Sequence, residues 1–219
     1  MMKNKIFRTL IVWILYLLWL FVFSGTDLTL INVLSYVAFL GINMFIYKDD
    51  LKEGIKNLKK DKKKIRTFIL YFIIIFAILI VSNILINVIS NGAFDSDSSS
   101  KSIYSLFEIV PFGTLFVMFI TIFFYPIVEE LVFRKSLYDV ISNPILFIIL
   151  SSLITWYFQV TLINPQISEF ILALSTLFNS IFAAIVLTKK KNIWYAIIPR
   201  MIYNVIVCLG QIIPLIIKK

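Results

Sequence analysis

Seven apolar runs, at about 6–23, 28–47, 67–89, 109–136, 144–162, 169–188 and 193–217, take up most of the 219 residues. Charge is largely confined to the gaps between them. About 20 apolar residues in helical form cross the roughly 30 Å hydrocarbon layer of a bilayer. Water is absent there, so each run must satisfy its backbone N–H and C=O groups internally. The expected fold is therefore all-α, a polytopic transmembrane helical bundle of about seven spans, with six to eight as the limits. Composition agrees: 60% of residues are hydrophobic and the mean hydropathy is +0.96, too apolar for a soluble domain of this length. The first run is too long for a signal-peptide core and lacks a small-residue cleavage site, so it is expected to remain as the first span.

The net charge of +9 would suit nucleic acid, but the bases cluster at the ends of the apolar runs, and no nucleic-acid role is expected. Lys3, Lys5 and Arg8 mark the amino terminus. Nine bases and four acids (Asp49, Asp50, Glu53 and Asp61) fill 48–66, Arg134 and Lys135 end the fourth run, and Lys189 to Lys191 follow the sixth. All four clusters fall on one side of the membrane if the amino terminus is cytoplasmic, as the positive-inside rule prefers. Lys218 and Lys219 then end on the other side, unless the last helix tilts or a re-entrant segment intervenes. Within the basic loop, Leu51, Ile55, Leu58 and Ile65 recur at helical spacing, the pattern of an amphipathic helix lying on the inner leaflet. The chain divides into amino-terminal transmembrane helices, 1–108, carrying the basic cytoplasmic loop 48–66, and a core, 109–217, within one membrane domain. The single cysteine, Cys208, excludes an internal disulfide.

Glu129 and Glu130 lie within the fourth apolar run, where an ionised side chain costs about 2.5–3.5 kcal/mol on insertion scales and usually lines a site or pairs internally. Glu130 and Arg134 are four apart, on one helix face, and can pair. Glu129 should point about 100° away from Glu130. Pro126, one turn earlier, should kink the helix and free a carbonyl. On residue types alone, an internally neutralised ion pair that pins helix packing is slightly favoured over a site that activates water. The chain contains no histidine.

The string Pro126-Ile127-Val128-Glu129-Glu130-Leu131-Val132-Phe133-Arg134 closely resembles the EExxxR signature of the CPBP family. These intramembrane proteins are related to the CAAX prenyl endopeptidases and the bacteriocin-processing and self-immunity proteins. Downstream, Ser151 to Gln159 resembles the family's FxxxH motif, with Thr155 at the Phe position and Gln159 at the His. Asn192 to Asn204 resembles its HxxxN motif, with Arg200 at the His position and Asn204 kept. The resemblance covers roughly residues 110 to 210 and implies a CAAX-protease-like core. It also implies a catalytic site made of the glutamate pair, two histidines and the asparagine, plausibly with a divalent metal. Carried over, Glu129, Glu130, Arg134 and Asn204 survive. Gln159 has no titratable proton near neutral pH and is a poor zinc ligand. Arg200 is always charged, offers donors only and repels a divalent cation. No metal or other cofactor is expected. Arg200 is expected instead to neutralise Glu129 or Glu130, since buried charges need pairing.

The resemblance thus implies a catalytically degenerate member of the bacterial plasma membrane that acts by binding or scaffolding. Its expected partners are membrane lipid and a membrane or envelope protein or peptide. Its expected use is immunity against a bacteriocin or lytic enzyme, or control of an envelope partner. The competing reading is an active CAAX-type endopeptidase with a histidine-free site, Glu129 acting as base and Asn204 with Gln159 holding the oxyanion. A small transporter ranks last, because no inverted repeat accompanies Pro126 and Pro199.

Overall fold

The computed structural model of the chain describes residues 4–23, 30–89, 111–161 and 174–217. Among these the regular structure is entirely helical: α1 (Lys5–Phe23), α2 (Leu30–Ile46), α3 (Lys48–Lys60), α4 (Lys64–Ile89), α5 (111–140), α6 (Pro144–Thr161), α7 (Leu174–Lys190) and α8 (Trp194–Ile217). Two stretches, Lys5–Val22 and Leu115–Val140, are long and apolar enough to cross a membrane, and shorter apolar helices run over Val33–Ile46, Pro144–Phe158 and Trp194–Gly210. Large apolar side chains such as Phe21, Ile31, Ile69, Val88 and Ile145 stand exposed around the bundle. A surface of that kind suits hydrocarbon rather than water. The chain is a membrane protein. Lys218 and Lys219 lie outside the described residues.

Asparagine side chains start three of the helices, α1, α6 and α8. The Asn4 Oδ1 accepts from the N–H of Ile6 at 3.1 Å, Asn143 Oδ1 from Ile145 at 2.9 Å, and Asn192 Oδ1 from Trp194 at 3.1 Å. Each satisfies an N–H that the first helical turn leaves without an internal partner.

One hydrophobic cluster draws Val12 and Tyr16 from α1, Phe39 from α2, Leu51 from α3, Phe124, Ile127, Val128, Leu131, Val132 and Phe133 from α5, Phe147 from α6, Leu187 from α7 and Ile197 from α8. Its aromatic part backs the middle of α5: Tyr16 meets Phe133 edge-on at 5.1 Å and Trp19 stacks on Phe39 at 5.2 Å. Such pairs add about 0.5–1.5 kcal/mol beyond their buried area and hold one face of α5 against α1 and α2.

The basic ends gather at one end of the bundle, where they make specific pairs. Arg8 Nη1 lies 2.6 Å from Asp50, Arg8 Nη2 bonds Asp139, and Lys135 Nζ lies 2.8 Å from Asp50 and 2.7 Å from Asp139. Burial pushes the Asp50 carboxyl up, but hydrogen bonding and charge from Lys135 and Arg8 outweigh it and hold the group below its ordinary 3.8. Read from sequence, these bases set topology; folded, they also tie α1, α3 and α5 together.

Helix α3 corrects the expectation of a helix whose whole apolar side rests on the leaflet. Leu51 is in the protein core, and Leu58 packs on the cluster of Tyr71, Val186 and Tyr195. Ile55 and Ile65 remain exposed. Gly54 decides the docking. Its carbonyl accepts from Asn192 Nδ2 at 2.8 Å, while Trp194 Nε1 donates to the Leu51 carbonyl at 2.9 Å. A Cβ at Gly54 would lie 2.8 Å from both Asn192 Oδ1 and Trp194 Cδ1. Gly54→Ala is therefore expected to destabilise the protein by about 1–3 kcal/mol, the usual range for overpacking. Faster tryptic cleavage at the lysines of α3, with a lower unfolding temperature, is the expected readout; unchanged cleavage would contradict this docking.

Candidate functional site

Helix α5 is not uniform. Its segments are Pro111–Phe119, the π-helical Ile120–Phe124, Tyr125–Glu129, the π-helical Glu130–Lys135 and Ser136–Val140. π-Bulges arise where a regular ladder is interrupted, and they are frequent at functional sites. Here Tyr125 N–H turns to the Ile120 carbonyl, five residues back, and Pro126 has no N–H to give to Thr121 in the same register. The freed Thr121 carbonyl is taken by Asn204 Nδ2 of α8 at 2.6 Å. Thus the carbonyl that Pro126 should free is found, and the motif asparagine is its donor.

The acids follow. Glu129 is 8% exposed and Glu130 1%. Arg200 of α8 reaches both: Nη2 bonds Glu129 Oε2, and Nη1 stands 3.4 Å from Glu130 Oε1. The expected 100° separation between the two acids does not send them to different partners. Glu130 opens the second π segment, and one planar guanidinium carries two donors wide enough apart to meet both carboxylates. On its other side, Glu130 Oε1 lies 3.3 Å from Arg134 Nη1, and both side chains are 1% exposed. The cluster holds two carboxylates and two guanidinium groups, so its formal charge sums to zero.

A cavity of about 190 Å³ adjoins it, walled by α4, α5, α7 and α8, with Tyr71, Glu130, Arg134, Asn179, Arg200 and Asn204 on its surface. Glu130 Oε2, Arg134 Nε and Asn179 Oδ1 are buried without a hydrogen-bond partner among the described residues. Unpaired buried polar atoms of this kind cost about 1–3 kcal/mol each, so they mark places where a ligand or water gains by binding. Sequence reasoning passed over Thr121 and Tyr71. Thr121 contributes only its carbonyl, which any residue has, and Tyr71 is one of ten tyrosines with no motif around it. Asn179 lies in the sixth apolar run, where a lone amide more often bonds between helices than marks a site.

Of the other motif positions, Thr155 is buried and donates to the Ser151 carbonyl within α6 at 2.7 Å. The side chain of Gln159 lies outside the described residues. Its neighbour Phe158 packs on Phe133 at 5.6 Å and Tyr16 at 5.7 Å, one turn of α5 from the acids. That contact sets this part of α6 beside α5, close to the acids in sequence along that helix.

The donor set does not fit a divalent metal. Both carboxylates face Arg200, the Asn204 amide is held by Thr121, and the described residues contain no group of three or more His, Cys, Asp or Glu able to hold an ion. A fixed guanidinium in van der Waals reach of the carboxylates repels a cation and offers it no lone pair.

Residues 111–206 match the family described as Rce1-like, type II CAAX prenyl endopeptidase Rce1-like. The segment runs from the start of α5 into α8 and contains every motif position read above, in the family that the motif strings resembled. No curated protein and no solved structure matches the chain.

Proposed function

We propose that the Rce1-like core of this chain binds a partner without cleaving it. The observation that carries this reading is the engagement of Arg200 with both Glu129 and Glu130. A carboxylate whose oxygen already accepts from a guanidinium does not present that oxygen to a water molecule. Histidine, the usual general acid and base, is absent from the whole chain. With Glu129 so held, the base that the endopeptidase alternative relies on is already engaged.

Binding chemistry is better supplied. A net-charged ligand would upset a cluster whose charges already cancel, and an unbalanced buried charge is costly. A neutral group with both donor and acceptor suits the unpaired atoms: its acceptor faces Arg134 Nε, its donor faces Glu130 Oε2 or Asn179 Oδ1. A peptide or carboxamide edge has that form. The partner is accordingly a membrane or envelope protein or peptide, and immunity against a bacteriocin or lytic enzyme, or control of an envelope enzyme, are the uses such binding serves. The setting in this reading is a bacterial plasma membrane, crossed about seven times, with a cytoplasmic amino terminus.

The test is the metal content of detergent-purified protein beside a Gln159→His, Arg200→His double variant, with cleavage of a prenylated CAAX peptide followed on the same samples. The wild type is expected to hold far less than one zinc per chain and to leave the peptide intact, while the variant takes up zinc. Near-stoichiometric zinc in the wild type, or cleavage abolished by Glu129→Ala, overturns the binding reading in favour of the endopeptidase. A variant that folds but takes up no zinc overturns the retained cavity.

A further inference from the structure

The segment 48–66 carries nine bases and four acids, a surplus of five positive charges by sequence. Folding makes the outward surface more basic than that. Asp50 is engaged by Arg8 at 2.6 Å and Lys135 at 2.8 Å, and Asp61 accepts from the Tyr195 hydroxyl with Lys190 Nζ 3.9 Å away. Those side-chain partners lie outside the segment, although Asp61 also accepts from the Lys63 N–H within it at 2.8 Å. Asp50 is thus balanced by other helices and Asp61 is shared with α7 and α8, which leaves Asp49 and Glu53 as the acids given wholly to the nine bases.

The inward side of α3 is fixed by Leu51, Gly54 and Leu58, which leaves Lys52, Lys56 and Lys59 exposed at intervals of four and three residues along one face, with Lys63 exposed in the turn after it. Ile55 lies among them, 40% exposed, and Ile65 follows at 65%. Helix α2 enters α3 through the apolar Ile46, and α4 leaves it through Ile65, so both neighbours run from α3 into the apolar bundle. Lys48 Nζ already sits over the Phe45 ring, 4.7 Å from its centre, at this junction. That placement suits the boundary between hydrocarbon and water, where lysine stems rest on apolar surface while their ammonium groups reach the headgroups.

We infer that the exposed face of α3 and the turn after it form a docking surface for anionic phospholipid headgroups. The charge complementarity is direct, since polybasic helices beside membrane spans gain affinity for each base near a negative leaflet. The exposed isoleucines give the face a shallow apolar hold that an acidic soluble partner would not need. This surface is separate from the cavity, and it stands whether or not the cavity binds a peptide.

The test uses the full chain in neutral detergent, with dioleoylphosphatidylglycerol or dioleoylphosphatidylcholine added and thermal unfolding followed. Phosphatidylglycerol is expected to raise the unfolding temperature by several degrees and phosphatidylcholine by much less. In Lys52→Gln, Lys56→Gln, Lys59→Gln, Lys63→Gln protein that gain should fall by more than half, and about 0.5 M salt should reduce it in the wild type through screening. The four side chains are exposed, so the variant's unfolding temperature without lipid should match the wild type. Substitution by arginine at the same positions should keep the gain. Equal gains from the two lipids, or an undiminished gain in the glutamine variant, overturns the proposal. Equal protection by polyglutamate assigns the face to an acidic protein and overturns it as well.

Discussion

Arg200→Ala is expected to destabilise the protein by about 3 kcal/mol. Removing one partner of a buried ion pair leaves the other charge uncompensated, which costs about 3–5 kcal/mol. The lower end applies because the Arg200 side chain is 26% exposed and Glu130 keeps Arg134 at 3.3 Å. Thermal or denaturant unfolding of detergent-purified protein measures it. The second half of the expectation is the sharper one. Glu129→Gln should be mild or favourable in the Arg200→Ala background and unfavourable in the wild type, because it removes a charge that has lost its counter-ion in one and breaks a pair in the other. Additive losses in this cycle would mean that Arg200 acts through its bulk rather than its charge.

Glu130→Ala should be worse than either, at about 4–5 kcal/mol. Glu130 and Arg134 are each 1% exposed, so truncating the acid strands a guanidinium that solvent cannot reach. Arg134 Nε already lacks a hydrogen-bond partner among the described residues, which leaves that group little alternative support. Glu129→Ala should cost less, since Arg200 keeps Glu130 within 3.4 Å and some access to solvent. Glu130→Gln, which retains an acceptor at similar volume, should fall between them. A Glu129→Ala loss equal to that of Glu130→Ala would contradict the layered arrangement, in which Glu130 is the inner acid shared by two cations.

How much was legible beforehand varies with the range of the interaction. The Glu130–Arg134 pair is separated by one helical turn, and any helix through the motif brings the two together. That Pro126 leaves a carbonyl free followed from its missing N–H, for the same local reason, but which carbonyl is freed was set by the π register. That Asn204 takes that carbonyl was not legible, because the two residues lie on different helices and neither sequence names the other. The amphipathic pattern of α3 was visible. Its partner was not: Leu51 and Leu58 turn to protein while Ile55 stays outside, and the helix ends at Lys60, so that Ile65 continues the spacing in sequence but belongs to α4.

By itself the sequence determined the helices, since apolar runs in a medium without water have no other way to close their hydrogen bonds. It also determined the chemistry that is out of reach, because a chain without histidine gains none by folding. The tertiary structure decided which charges meet. Only the packing of α8 on α5 brings Arg200 to both glutamates and Asn204 to Thr121, and only the packing of α3 against α1, α5 and α8 withdraws Asp50 from the basic surface and shares Asp61 with Tyr195. The physical reason is that a helix fixes its own faces through bonds four or five residues long, whereas the choice of facing neighbour depends on contacts summed over the whole bundle.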